Sequence, residues 1–254
     1  MKGTTTNDYE KAAGIIQSSK SAVAFTGAGI SVESGIPTFR GPSGLWSRYD
    51  PKILDIDYFM RHPESSWRTI REIFYDFMQN IELNAAHRFL AKLETRHLLR
   101  GVITQNIDSL HQKAGSRNVI EFHGTAGRLT CLGCGKHYDI SELSLKKLPP
   151  KCEACGGLLK PDFVFFKEPI PKEAFEESSR LCLEADLLLI IGTTGEIMPA
   201  SQLPYSVPET CRIIEINIEP SNYTHALTDI FLQEKATVAA EKLDNLIFGR
   251  EVEK

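Results

Sequence analysis

Ser21-Ala22-Val23-Ala24-Phe25-Thr26-Gly27-Ala28-Gly29-Ile30-Ser31 is a short apolar run that breaks off into two glycines. An unbroken run of small and apolar residues suits a strand buried on both faces. Glycines at its end let backbone approach the phosphate of a ligand. Similar runs recur at residues 101–104, 119–122, 187–191 and 212–216. Helical patterns fill residues 9–19, 85–96, 173–184 and 236–248. Strands alternating with helices imply an α/β chain with a mostly parallel sheet covered on both faces.

Two stretches interrupt this rhythm. From residue 46 to 80, Trp67, Ile70, Phe74 and Phe77 recur at helical spacing, which predicts an inserted helical lobe with an aromatic core stripe. Residues 129–159 hold Cys131, Cys134, Cys152 and Cys155 as C-x2-C, a gap of 17 residues, and C-x2-C. That is zinc-ribbon spacing. Two residues between cysteines let one tight turn aim both sulfurs at a metal, and Gly133, Gly135 and Gly156 relieve crowding beside the turns. Four thiolates close a tetrahedral shell, so the expected zinc is a single structural ion. Cys182 and Cys211 fall in helix and strand patterns and read as small buried hydrophobes.

The formal net charge of −4 argues against a chain built to coat nucleic acid. The ribbon carries Lys136, Lys146, Lys147 and Lys151 without interleaved arginines and aromatics, so no direct nucleic-acid binding is expected. The longest apolar run, Leu187–Ile191, is strand-sized, and no membrane partner is expected. Residues 1–8 are polar, without the apolar core of a signal peptide, and the cysteine pairs suit a reducing compartment. A cytoplasmic location is the expectation.

The glycine loop is not G-x-G-x-x-G, because Val32 holds the third glycine position. Its continuation, Ser34-Gly35-Ile36-Pro37-Thr38-Phe39-Arg40-Gly41, can fold over a ligand, with Phe39 covering apolar surface and Arg40 facing anionic oxygens or a surface carboxylate. Thr104-Gln105-Asn106-Ile107-Asp108-Ser109 follows a predicted strand and offers groups that can hydrogen-bond ribose or an amide. Phe122-His123-Gly124 ends the next strand, and its imidazole can move a proton near neutral pH. His87 reads as part of a helix start capped by Asn84, and His111 as support for the loop at residues 105–108.

Taken in order, these motifs and the four-cysteine ribbon resemble the sirtuin family of NAD-dependent protein-lysine deacylases, of prokaryotic or archaeal type. The resemblance runs from about residue 21 to 236. It implies one catalytic domain. Its Rossmann-like part would comprise residues 1–45, 84–128 and 160–254, and its small module the helical insert at 46–83 with the ribbon at 129–159. NAD and an acyl-lysine protein or peptide would meet in the cleft between them. By similarity, Gly27, Ala28, Gly29, Phe39 and Arg40 contact the dinucleotide, and Gln105, Asn106, Ile107 and Asp108 line its ribose and nicotinamide pocket. Gly192, Thr193 and Thr194 match the family's Gly-Thr-Ser, Asn217 and Ile218 would hold the adenosine ribose, and Ala236 would lie near adenine. His123 matches the family's general base, and Asn106 and Asp108 suit a cation-like transition state. The implied products are nicotinamide, free lysine and O-acyl-ADP-ribose, from acetyl or longer neutral acyl groups.

The substrate strand departs from the family pattern. Val164-Phe165-Phe166-Lys167-Glu168 has lysine where glycine is usual, and Gly195 replaces a leucine, which predicts a looser segment there. Val164, Phe166 and Ile197 remain suited to flank the acyl-lysine. Aligned on Trp67, the tyrosine and arginine of the desuccinylating branch become Ile70 and Ile73, which disfavours an acidic acyl group. An ADP-ribosyl transferase would share the pocket and differ in not requiring acyl-lysine for NAD loss. A zinc-ribbon module that scaffolds nucleic acid or protein would not be expected to lose DNA binding by competition with NAD.

Overall fold

The computed structural model describes residues 4–41, 44–76 and 81–249; Phe77, part of the predicted aromatic stripe, lies outside them. The first strand forms as predicted. β1 (Ala22–Thr26) is buried at every position, and so is β7 (Leu187–Ile191). With β2 (Gly101–Thr104), β3 (Val119–Glu121), β8 (Arg212–Asn217) and β9 (Ile230–Gln233) they make one six-stranded parallel sheet in the order β3-β2-β1-β7-β8-β9. The chain builds outward from β1 on one side and from β7 on the other. The two therefore meet at the centre, where an open α/β sheet leaves a ligand crevice beyond its strand ends.

Side chains alternate along these strands and divide the core into two layers. Ala22, Ala24, Leu187, Leu189 and Ile214 face one cluster, into which α1 (Thr6–Ser18), α4 (Ala85–Thr95) and α7 (Ala236–Phe248) pack. Val23, Phe25, Leu188, Ile190 and Ile213 face the other, covered by α6 (Lys172–Leu183) and a 3₁₀ segment at Ala200–Ser206. The first helix starts earlier than its apolar pattern, because Thr5 and Asp8 form a capping box.

The helical insert is broken. α2 (Ile56–Arg61) is capped by Asp55, α3 (Pro63–Ile70) opens on a proline, and a π-helical stretch follows at Arg71–Asp76. Prolines are tolerated at a first turn and not in a helix interior, so Pro63 sets the break. Trp67, Ile70, Ile73 and Phe74 share one core with Leu129 and Leu159 of the ribbon and with Phe163 and Phe165 just beyond it. In the ribbon, β4 (Arg128–Cys131), β5 (His137–Asp139) and β6 (Leu159–Pro161) form a small antiparallel sheet in the order β5-β4-β6. The indole of Trp67 donates to the Leu159 carbonyl at 2.9 Å, pinning lobe to ribbon. Between α4 and β4 lies α5 (Leu110–Lys113). Among the described residues no helix is long and apolar enough to cross a membrane.

Candidate active site and metal centre

β1, β2 and β7 end in register at Thr26, Thr104 and Ile191. Beyond them Gly27 N donates to the Ile191 carbonyl at 3.0 Å, Gln105 N to the Thr26 carbonyl at 2.9 Å, and Gly29 N to the Gly192 carbonyl at 2.8 Å. A Cβ on Gly29 would stand 2.6 Å from Gly192 Cα, so these loops touch only because both lack side chains.

The residues after β2 build a buried polar cluster. Asn106 Nδ2 donates to the Gly27 carbonyl at 3.2 Å and to Ser31 Oγ at 3.1 Å. Ser31 Oγ donates to Asp108 Oδ2 at 2.8 Å, and Leu110 N to Asp108 Oδ1 at 2.9 Å. Burial pushes the Asp108 carboxyl above its usual range, while the Leu110 and Ser31 hydrogen bonds pull against that rise. His87 Nδ1 accepts from Asn84 N at 3.4 Å, which leaves Nε2–H facing Ser31 Oγ, also at 3.4 Å. His111 Nε2 lies 3.0 Å from Thr26 Oγ1, and its ring meets that of His87 edge-on at 5.0 Å. Burial lowers His87 to about 4 and His111 to about 3, so both are neutral at physiological pH.

His123 follows β3 and its Nδ1 lies 3.1 Å from the Gln105 carbonyl. A carbonyl only accepts, so Nδ1 carries the hydrogen and Nε2 keeps its lone pair. Burial lowers the pKa of this imidazole, and the Gln105 bond works in the opposite direction. Val164 N donates to the His123 carbonyl at 2.8 Å, joining the predicted base to the predicted substrate strand. Gly124 has φ +72°, and a Cβ there would fall 2.1 Å from the Asp162 carbonyl oxygen.

The other expected residues gather around this group to differing degrees. Gln105 Nε2 donates to Thr193 Oγ1 and Asn217 Nδ2 to the Thr193 carbonyl, each at 3.0 Å. Thr194 is exposed, and its carbonyl accepts from Asn222 N. Ile218 is exposed beyond β8, and Ala236 is buried at the first turn of α7; neither bonds directly to the central cluster. Phe39 packs against Trp46 and Phe74, with ring centroids 5.6 and 6.3 Å away. Arg40 Nη1 pairs with Glu196 Oε2 at 3.3 Å. Ala28, Phe39, Ile73 and Phe74 wall a cavity of ≈ 30 Å³ against Asn106, Ile107 and Asp108. That apolar wall opposite an amide and a carboxyl suits a flat ring bearing an amide. The space as it stands holds about one water.

Two members of the cluster carry no assignment in the sequence reading beyond a motif and a helix cap. Ser31 lies in the quoted glycine loop, and a hydroxyl directly after Gly-x-Gly-Ile is its only signal. His87 serves the capping box as expected, and its other ring nitrogen turns toward Ser31. An imidazole on the buried face of a helix start was the available clue.

Lys167 and Gly195 each acquire a structural reason. Lys167 keeps a glycine-like backbone, φ +74°, and its ammonium reaches Asp55 and Asp57 at 2.8 and 2.9 Å. Gly195 is not loose. Its Cβ would stand 2.8 Å from the Tyr223 ring, its φ is +72°, and its carbonyl accepts from Asn222 Nδ2 at 3.1 Å. Buried Tyr223 occupies the room that leucine would take.

Cys131, Cys134, Cys152 and Cys155 place their four sulfurs within 4.8 Å of one another. The Cys131–Cys155 and Cys134–Cys152 separations, 3.5 and 3.7 Å, are far beyond a disulfide bond. Gly133 N points at Cys131 Sγ from 3.3 Å. The Tyr138 hydroxyl, 3.1 Å from Cys152 Sγ, helps bring that thiol down to about 6. Gly157 is the glycine the cluster most needs, since a Cβ there would lie 2.9 Å from Cys131 Sγ. Four soft donors with backbone and hydroxyl support fit a structural zinc.

A glycine-lined crevice in a parallel sheet, an imidazole at its lip and a four-cysteine module define a dinucleotide-binding α/β enzyme. The Sir2 family model matches residues 27–199, and the chain belongs to that family. It is similar to the NAD-dependent protein deacylase 2 of Pyrobaculum aerophilum, 46% identical over 88% of this chain and 90% of that one. A Sir2 homologue, a phenylalanine-to-alanine mutant solved with ADP-ribose, superposes with a TM-score of 0.88 at 37% identity, covering 96% of this chain and 99% of the other. A Sir2 histidine-to-alanine mutant, solved with a deacetylated peptide and 3′-O-acetyl ADP-ribose, gives 0.87 at 34% identity over 93% and 97%.

Proposed function

We infer that this chain is an NAD-dependent protein-lysine deacylase that yields nicotinamide and O-acyl-ADP-ribose. The observation that carries the reading is the double tie of His123. Its Nδ1 is oriented by Gln105, within the cluster at the strand ends, and its carbonyl receives Val164 from the substrate strand. His123 is thus tied through its ring to the strand-end cluster and through its backbone to the expected substrate strand.

Bound NAD would supply an anomeric carbon carrying nicotinamide as leaving group. Gly27, Ala28 and Gly29, with Gly192 to Thr194, offer close backbone for the phosphates, and Arg40 a cation beside them. Asn106 and Asp108 face developing positive charge, with Gln105, Ile107 and Phe39 shaping the pocket. Asn217, Ile218 and Ala236 take the adenosine end. His123 Nε2 accepts a proton from a ribose hydroxyl, and its lowered pKa keeps it neutral for that task. Val164, Phe166 and Ile197 flank the acyl-lysine, and the latter two are exposed and free to do so. Cys131, Cys134, Cys152 and Cys155 hold the zinc away from the reaction. The cleft divides a Rossmann-like part (1–45, 84–128, 160–254) from the small module, and a cytoplasmic location suits its reduced thiols.

The test is incubation with NAD and an acetyl-lysine peptide, followed by mass spectrometry. O-acetyl-ADP-ribose and free lysine should appear together, and only with acylated peptide present. NAD loss that proceeds equally without the peptide would point to a transferase or a hydrolase instead.

A further inference from the structure

Lys160 lies in β6 with its side chain only 9% exposed. Its ammonium has three hydrogens and three acceptors: Glu168 Oε2 at 2.9 Å, the Pro161 carbonyl at 2.9 Å and the Phe163 carbonyl at 3.0 Å. It also sits 4.2 Å from the centroid of the Phe165 ring. Glu168 Oε2 in turn accepts from Phe165 N at 2.8 Å. One ion pair therefore gathers the segment from residue 161 to 168 around itself.

The outer side of this arch is fastened elsewhere. Val164 N bonds to the His123 carbonyl, while Phe166 N donates to the Leu54 carbonyl at 2.7 Å and its own carbonyl accepts from Ile56 N at 3.3 Å. Val164 and Phe166 are thus fixed from the sheet and from the helical lobe, and Lys160 fastens the arch from within. A lysine costs free energy to bury, and its partners here satisfy every hydrogen it carries. Nothing in the assigned chemistry requires a cation at this point.

We propose that Lys160 is a positioning residue for the acyl-lysine substrate: closed on Glu168, it holds residues 163–168 in the shape that presents Val164 and Phe166 to the substrate and Val164 to His123. This rests on the reading of Val164 and Phe166 as substrate contacts. Lys160 itself touches no substrate.

The test compares Lys160→Met, which keeps the stem and removes the charge, with Lys160→Arg. In Lys160→Met the Glu168 carboxylate keeps the Phe165 N–H but loses its cation, and two carbonyls lose the ammonium as donor. KM for the acyl-peptide should rise roughly tenfold or more, with KM for NAD staying within about twofold and zinc content unchanged. Lys160→Arg should recover most of the loss. If Lys160→Met does not fold, Glu168→Gln carries the same expectation of a selective rise in peptide KM. Kinetics of the folded variant within about twofold of wild type, or equal losses toward peptide and NAD, would overturn the proposal. A wild-type chain with no acyl-peptide turnover would overturn the parent reading as well.

Discussion

Arg40 and Glu196 join across the mouth of the crevice, Nη1 to Oε2 at 3.3 Å, although 156 residues separate them in sequence. Leu45 N bonds to the Thr38 carbonyl and Trp46 N to the Phe39 carbonyl, and Arg40 directly follows these ties with its side chain exposed. If Arg40 serves the phosphates of NAD, Glu196 competes for it. Glu196→Gln should lower KM for NAD by roughly two- to fourfold, the worth of an exposed pair. The difference should fade in ~1 M salt, where screening acts over about 3 Å. An unchanged KM at low salt would remove the competition.

As the proposed base, His123 must be neutral at Nε2. Its pKa is lowered chiefly by burial, so kcat/KM should fall on the acid side with a midpoint below the usual histidine value of about 6.5. His123→Ala should lose about 10²–10⁴ in rate and keep its thermal midpoint near wild type. A variant retaining turnover within a few-fold would deny the base its role.

His87 and His111 make the site's stability pH-dependent. Both have folded pKa values lowered by burial, to about 4 and about 3. The unfolded chain binds their protons first, so their contribution is complete above about pH 6.5 and is lost as pH falls toward those values. Between about pH 7 and 5 the two together lose on the order of a few kcal/mol. Asp108 and Glu121, both raised by burial, act in the opposite sense at the acid end. Thermal midpoints should drop between about pH 7 and 5. The His87→Gln/His111→Gln variant should show a flatter slope, and an equal slope would place the titration elsewhere.

The central strands are legible from sequence because burial on both faces forces unbroken apolar runs, as at Leu187–Ile191. β9 escapes notice for the converse reason. It is an edge strand in which Leu232 alone is fully buried, so its pattern is only Ile-Phe-Leu before Gln233. The cysteine ribbon is legible because metal geometry dictates local spacing. Ser31 and His87 are harder, since they are 56 residues apart and meet only after α4 packs beside β1. Gly195 misleads for a similar reason: the side chain that excludes leucine, Tyr223, arrives from a distant turn.

Zinc removal should unfasten the small module as a unit. The ribbon and the helical insert share one core, and Trp67 is bonded into β6 at Leu159. Treatment with a strong chelator should release ~1 zinc per chain, expose the fully buried Trp67 to solvent and lower the unfolding temperature. Freshly purified, reduced protein that carries no zinc would end this account of the four cysteines.

The acyl preference follows from what the helical lobe does not offer. Ile70 is fully buried, and Ile73 lines the small cavity with Phe39 and Phe74, across from Asn106 and Asp108. A succinyl carboxylate reaching these two positions would find apolar side chains where the desuccinylating branch offers a tyrosine and an arginine. Burying it unpaired costs several kcal/mol, while an acetyl or longer neutral chain carries no such penalty. On matched peptides kcat/KM for acetyl should exceed that for succinyl by roughly tenfold or more. Ile73→Arg should narrow the gap by pairing the acid, and its test is the ratio of the two rates rather than either alone. Faster succinyl removal by the wild-type chain would mean that a cation outside this wall reaches the acyl group.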